Sequence, residues 1–248
     1  CGLCGFTGEI VDRDAVLENM TEVITQGTGQ QGGLYRRQDF HGFRRLSIID
    51  LDNGSQPIYN EDKTLVLMFN GEIYNYKQLR KELQEKGHVF ATDTDSEVLV
   101  HGFEEWREDL LNRLRGMFGF AIWNRTDESL FIARDFFGIK PMHYTQVGGH
   151  FLYASEIKSI LKFPALKRNS TTAPWIIIFL SSMPFRLRPS LRGFTAYCPA
   201  TTCGTVTQGG ATRYWEARFN PDESLTEEQA VDEIEKVFEE TSTPIRSA

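Results

Sequence analysis

Four strand-like runs follow one another between Gly116 and Ala154: Gly116 to Asn124, Ser129 to Asp135, Lys140 to Val147 and His150 to Ala154. Only hairpin-length gaps separate them. Parallel neighbours would need crossovers of a dozen or more residues, so these runs must pair antiparallel. The helical patterns lie elsewhere. Asp12 to Thr25 places Val16, Met20, Val23 and Ile24 on one face, and Tyr76 to Lys86 turns Leu79 and Leu83 inward with Gly87 placed for a C-terminal cap. Consecutive strands with helices clustered apart predict an α+β domain of layered antiparallel sheets.

The remaining elements are read the same way. Gly2 to Phe6, Arg44 to Asp50 and Thr64 to Asn70 predict strands, and Ser155 to Phe163 a short helix. Thr94-Asp95-Ser96-Glu97 has capping-box spacing and predicts a helix to about Leu114, burying Leu99, Phe103, Trp106 and Leu110. Two stretches, Thr25 to His41 and Arg168 to Gly204, show no period. A strand is predicted over Thr212 to Arg218. Ser224-Leu225-Thr226-Glu227 opens a last helix, with Val231, Ile234, Val237 and Phe238 in one stripe.

A net charge of -7 and a pI near 5.4 argue against nucleic acid or anionic membranes as partners. The longest apolar run, Trp175 to Leu180, is too short to span a bilayer. Arg13 and neighbouring acids follow the first strand too early for a signal peptide, and Cys1, Cys4, Cys198 and Cys203 make no disulfide scaffold. A reducing cytoplasm is therefore expected.

Chemistry concentrates at the first residue. An N-terminal cysteine carries a thiol and a free α-amine whose unperturbed pKa values lie at about 8.5 and about 8, so one can take the other's proton near neutral pH. This supplies a nucleophile and its base without a histidine. Singly, each candidate also has a bland reading: Cys1 a buried strand start, Arg45 a surface residue, Asn70-Gly71 a hairpin turn, Asp95 part of a cap. Cys1-x-x-Cys4 invites a redox or zinc reading. The strand-to-helix junction of a βαβ unit is absent, however, and Cys198 and Cys203 have the wrong spacing for a second zinc pair. His41, His88, His101, His143 and His150 show no metal-ligand spacing, and no metal is expected.

Over residues 1–163 the chain resembles the N-terminal half of glutamine-hydrolysing asparagine synthetases, a class II glutamine amidotransferase domain. The motifs are CGLCGF, RRLSIIDL, QPIYNED, FNGEIYN, TDSEV, LRGMFGFAIW, LFIARDFFGIKPMHY and ASEIKSIL, in the family's order. The resemblance implies an N-terminal-nucleophile hydrolase fold, a four-layer αββα sandwich of two antiparallel sheets between helices. It implies Cys1 as nucleophile, with the Asn70 amide and Gly71 N–H as oxyanion hole. Arg45 would hold the α-carboxylate of glutamine and Asp95 its α-ammonium, while Ile48, Ile49 and Glu72 line the pocket. One cation and one anion suit an amino acid's α-groups, and an Asn-Gly turn at a strand end would aim both oxyanion donors at one point. No cofactor is implied for glutamine hydrolysis; ATP and magnesium belong to the family's synthetase domain, which would receive the ammonia. A homodimer is left open.

Two departures from the family stand out. In place of the motif HRGPDS the chain has Thr25-Gln26-Gly27-Thr28-Gly29-Gln30, and a permitted set of codons for these residues encodes HRGPDS one base along. Residues 174–203 and 241–247 likewise become family-like in a shifted frame. The stretches 25–42 and 164–204 are thus read as atypical products of paired frameshifts. Residues 205–222 are read as a final strand region, and 223–248 as the start of a truncated ATP-pyrophosphatase domain whose phosphate loop does not occur in the chain. The competing expectations are a non-catalytic truncated product and the amidotransferase half of an enzyme with another acceptor. Sequencing the coding DNA tests the frameshifts: compensating base insertions and deletions are predicted around these stretches, and a clean read contradicts them.

Overall fold

The computed structural model describes residues 2–24, 31–35, 39–44, 56–166, 195–196, 201–203 and 211–246. In chain order the elements are β1 (Gly2–Thr7), α1 (Arg13–Glu22), β2 (Gln31–Tyr35), β3 (Asp39–Arg44), β4 (Ile58–Tyr59) and β5 (Leu65–Ile73). There follow α2 (Tyr76–Glu85), α3 (Glu97–Trp106), a 3-10 turn at Arg107–Asp109, α4 (Leu110–Arg113), β6 (Gly116–Asn124), β7 (Ser129–Arg134), β8 (His143–Val147) and β9 (His150–Ala154). The last are α5 (Ile157–Ile160), β10 (Thr195–Ala196), β11 (Thr201–Cys203), β12 (Ala211–Arg213) and α6 (Glu227–Arg246).

The strands form two six-stranded sheets, ordered β10-β8-β9-β1-β3-β2 and β12-β11-β7-β6-β5-β4. Every paired register in them is antiparallel. Side-chain alternation sorts the apolar residues into three cores. Val66 and Met68 of β5, Ala121 and Trp123 of β6, and Leu130 and Ile132 of β7 meet Leu3, Phe151 and Tyr153 of the facing sheet. The opposite parity of the same strands, including Leu65, Leu67, Phe69, Phe118, Phe120 and Ile122, packs against α2 and α3. On the far side, Cys4, Phe6, Leu152 and Ala154 pack against Val16, Leu17 and Met20 of α1 and Ile160 of α5. Helix, sheet, sheet and helix make the four-layer sandwich. A strand such as Leu65-Val66-Leu67-Met68-Phe69 is apolar throughout because both of its faces are covered.

Local signals held where the chain supplies its own ends. Gly87 takes φ 104° after α2, and the N–H of His88 returns to the Leu83 carbonyl at 3.1 Å. Thr226 and Gln229 cap α6 reciprocally: Gln229 Oε1 accepts the Thr226 N–H and Thr226 Oγ1 accepts the Gln229 N–H. The apolar stripe of this helix, Val231, Ile234, Val237 and Phe238, is more than half exposed.

Several expectations give way to tertiary context. The aperiodic stretch 25–41 contributes β2 and part of β3; β3 pairs along β1 from Gly2↔Arg44 to Thr7↔Asp39, and β2 pairs along β3. Backbone pairing with a neighbour organises this run despite its lack of pattern. The predicted strand over Arg44 to Asp50 thus begins earlier, and residues 45–50 lie outside the described residues. Within the second aperiodic stretch, β10 and β11 pair with β8 and β7. The predicted strand at Thr212 to Arg218 is only β12. The predicted helix to Leu114 breaks at Arg107, which takes φ 52° and lays its guanidinium over the Phe103 ring, before Leu110 and Leu111 return to the core.

The Thr94–Glu97 capping box does not form. Glu97 instead accepts the N–H groups of Ala91 and Thr92, each at 2.7 Å, and the Thr92 hydroxyl. A second buried carboxylate, Asp135, explains the loop after β7. It accepts the N–H groups of Phe137, Ile139 and Lys140 and, more weakly at 3.3 Å, that of Phe118 in β6. The loop is thereby fastened to the centre of its own sheet.

Candidate active site

β5 carries Asn70, Gly71, Glu72 and Ile73 in unbroken pairing with β6, from Asn70↔Gly119 to Ile73↔Gly116. Asn70-Gly71 is therefore not the tight turn that the dipeptide suggested but part of the paired C-terminal stretch of β5. The glycine is needed for another reason. A Cβ on Gly71 would stand 2.1 Å from the Met117 carbonyl oxygen, and one on Gly116 would stand 2.2 Å from that of Glu72. The two strands approach too closely for any larger residue at either place.

Hydrogen bonding along β5 alternates between its two edges. Odd-numbered residues turn their N–H groups away from β6: Leu65 donates to Asn60 Oδ1 at 2.9 Å, Phe69 to Gln56 Oε1 at 2.7 Å and Ile73 to Asp95 Oδ2 at 2.8 Å. Gly71 falls between the last two, so the alternation sends its N–H to the same edge. Asn70 has the parity of Val66 and Met68, which face the other sheet, and it is 3% exposed. The strand thus offers a side-chain amide toward the inter-sheet layer beside a backbone N–H at its edge.

Asp95 sits just before α3, buried, and is tied to the same strand through Ile73. Burial, reinforced by the negative charge of Glu72, pushes its carboxyl up to about 6, although the Ile73 N–H works in the opposite direction. Two carboxylates beside one strand end suit a cationic group.

Of the residues singled out in the sequence, the structure brings together Asn70, Gly71, Glu72 and Asp95. Cys1, Arg45, Ile48 and Ile49 lie outside the described residues. Their chain neighbours are placed: Gly2 pairs with Arg44, and Leu3 packs against Val66 and Met68. Ser155 holds β1 here, accepting the Leu3 N–H through Oγ at 3.3 Å and donating its own N–H to the Leu3 carbonyl at 2.8 Å. Cys4 is buried in mid-strand on the helix-facing side, 3.6 Å from Thr21 Oγ1. That setting is no strand-to-helix redox junction.

Sequence reasoning missed Gln56. Its side chain both accepts the Phe69 N–H and donates to the Phe69 carbonyl at 2.9 Å, imitating a neighbouring strand one residue before Asn70. A glutamine before proline gives no sign of this pairing, which depends on where β5 lies.

Three comparisons bear on this arrangement. Residues 1–215 match the family described as glutamine amidotransferase domain. The chain is 44% identical over 168 residues to asparagine synthetase [glutamine-hydrolyzing] 1 of Bacillus subtilis, a match spanning 64% of this chain and 27% of that protein. It is 38% identical over 165 residues to asparagine synthetase [glutamine-hydrolyzing] 2 of Arabidopsis thaliana, spanning 64% of this chain and 28% of that one. Both matches thus cover less than a third of the relative. Among solved structures, glutamine phosphoribosylpyrophosphate amidotransferase from B. subtilis superimposes with a TM-score of 0.62 at 18% identity, over 88% of this chain and 50% of that chain. This likeness confirms the layered fold.

The raised Asp95 carboxyl has a measurable consequence. The native state binds more protons here than the unfolded chain between about pH 4 and 6, so this residue's contribution to stability falls as pH rises through that window. Urea unfolding from pH 4 to 7 should show a loss of roughly 2 kcal/mol that Asp95→Asn abolishes. An identical pH profile in both proteins contradicts the assignment.

Proposed function

Because this chain belongs to the glutamine amidotransferase domain family, we propose that it hydrolyses the side-chain amide of glutamine with Cys1 as the nucleophile. The observation that carries the reading is the convergence of Asn70, Gly71 and Asp95 on one end of β5, in the sheet that faces β1. Leu3, two residues after Cys1 in the sequence, lies in the same inter-sheet core as Met68, two residues before Asn70. Arg45 follows Arg44, the partner of Gly2. The described chain neighbours of Cys1 and Arg45 are thus the last pair of one ladder.

In the first step the Cys1 α-amine takes the thiol proton, and the thiolate adds to the γ-carbonyl carbon of glutamine. The carbonyl oxygen gains the negative charge and is met by the Asn70 amide and the Gly71 N–H; such donors are each worth about 3 kcal/mol. Collapse of this intermediate breaks the C–N bond, the ammonium returns its proton to the leaving nitrogen, and ammonia departs. Water, deprotonated by the same amine, then adds to the thioester and releases glutamate and the thiol. Arg45 binds the α-carboxylate in bidentate fashion, Asp95 in its ionised form binds the α-ammonium, and Ile48, Ile49 and Glu72 line the pocket.

The relatives' names extend the proposal: the ammonia serves asparagine synthesis in a further domain that would use ATP and magnesium. The exposed stripe of α6 supports this, since an amphipathic helix with a bare apolar side is suited to being covered by more protein. None of the described helices is long and apolar enough to cross a membrane.

Glutamate release from glutamine by the purified chain tests the reading. Cys1→Ala is predicted to lower the rate by at least about 10³-fold and Asn70→Ala by roughly 10²–10³-fold. Equal rates in Cys1→Ala and the parent would refute the nucleophile.

A further inference from the structure

On the helical layer outside the second sheet, two histidines and two glutamates from three separate segments converge. Glu61 lies between β4 and β5, His88 follows α2, and His101 and Glu104 share one face of α3. One ligand-capable atom from each lies within 4.8 Å of all the others.

The hydrogen bonds behind the two rings define what faces inward. Behind His101, Glu97 is fixed by the N–H groups of Ala91 and Thr92 and by the Thr92 hydroxyl, all of which it accepts. His101 Nε2 lies 3.2 Å from Glu97 Oε1, its hydrogen-bond partner. His101 is 1% exposed, and its other nitrogen, Nδ1, makes no hydrogen bond. It nevertheless lies 3.2 Å from Glu61 Oε2, at a distance an ion pair would have but without the alignment of a hydrogen bond. His88 repeats the pattern. Its Nε2 lies 3.7 Å from Glu105, itself held by Lys86, and its Nδ1 lies 3.4 Å from Glu61 Oε1 and 4.0 Å from Glu104 Oε2.

Carboxylate, imidazole and an inward nitrogen are the arrangement that orients histidine ligands on a metal. Four ligands at about 2.0–2.1 Å from a tetrahedral zinc ion stand about 3.3–3.4 Å apart, and each lone pair points about 35° off the line to its neighbour. Glu61 meets the two rings through different oxygens, Oε2 at 3.2 Å from His101 and Oε1 at 3.4 Å from His88. Glu104 Oε2 stands 4.0 Å from His88, so each imidazole nitrogen has a carboxylate oxygen at about the ligand–ligand spacing. The misalignment of His101 Nδ1 toward Glu61 is what a lone pair aimed beside that oxygen would show. The carboxylates are held as well: Glu61 Oε1 accepts the Val89 N–H at 2.8 Å and Glu104 Oε2 accepts Asn60 Nδ2 at 3.2 Å.

We infer that Glu61, His88, His101 and Glu104 form a four-ligand site for a zinc-type divalent ion. It would clamp the β4–β5 loop and the segment after α2 onto α3. With four protein ligands the site is structural rather than catalytic, and it stands independently of the glutamine chemistry. Two nitrogen and two oxygen donors favour zinc over magnesium, which prefers six oxygens.

Isothermal titration of the metal-stripped chain with zinc chloride, and with magnesium chloride as control, tests this. One zinc ion per chain is expected, weakened at least tenfold in His88→Gln and in Glu61→Gln. The thermal midpoint should rise by roughly 5–10 °C at a hundredfold excess over Kd. Glu104→Gln, at an exposed carboxylate, serves as a further variant whose metal-free midpoint should match the parent's. Absence of zinc binding overturns the site, and so does binding of undiminished affinity in folded variants. The four groups would then be a metal-free ion network.

Discussion

At Gly71 and Gly116 the central strands of the second sheet lie so close that one added methyl would press into the partner's carbonyl oxygen. This approach keeps β5 paired with β6 from Asn70 to Ile73, whose N–H meets the Asp95 carboxylate. Opposite Gly71 stands Phe118, whose N–H reaches Asp135, the carboxylate that ties down the loop after β7. The candidate oxyanion donors therefore rest on a rigid strand pair braced from both sides, with Gln56 and Asp95 on one edge and β6 on the other. Fixed donors cost no reorganisation as charge develops, which is the condition for effective oxyanion stabilisation.

Much of this was legible in the sequence where the cause is local. The limits of β6 and β9, the inward residues of α2 and the Gly87 cap follow from periodicity and glycine chemistry. Asn70, Gly71, Glu72 and Asp95 could be picked out as a group because a family resemblance supplied the roles, and the structure does bring them together. The reason for Gly71 was not legible. Asn-Gly signals a turn, whereas the clash that requires glycine comes from Met117, far along the chain.

The same limit explains the other differences. Thr94 and Glu97 have capping-box spacing, but Glu97 reaches back to the loop at Ala91 and Thr92 and across to His101. β2 and β3 have no apolar rhythm to announce them and exist through pairing, β3 with β1 and β2 with β3. His88 and His101 show no ligand spacing because their partners, Glu61 and Glu104, come from other segments and meet only once α2 and α3 are packed. A pairwise signal is visible in sequence only when both partners belong to one element.

The central claim is that the first residue attacks glutamine. Its most direct measurement is peptide mapping by mass spectrometry after the chain is incubated with a glutamine analogue bearing an electrophilic ketone in place of the amide. A single adduct on Cys1, suppressed by free glutamine, is the predicted result, with the buried Cys4 unmodified. An adduct that glutamine does not suppress, or one formed on Cys4 while Cys1 stays free, would contradict it.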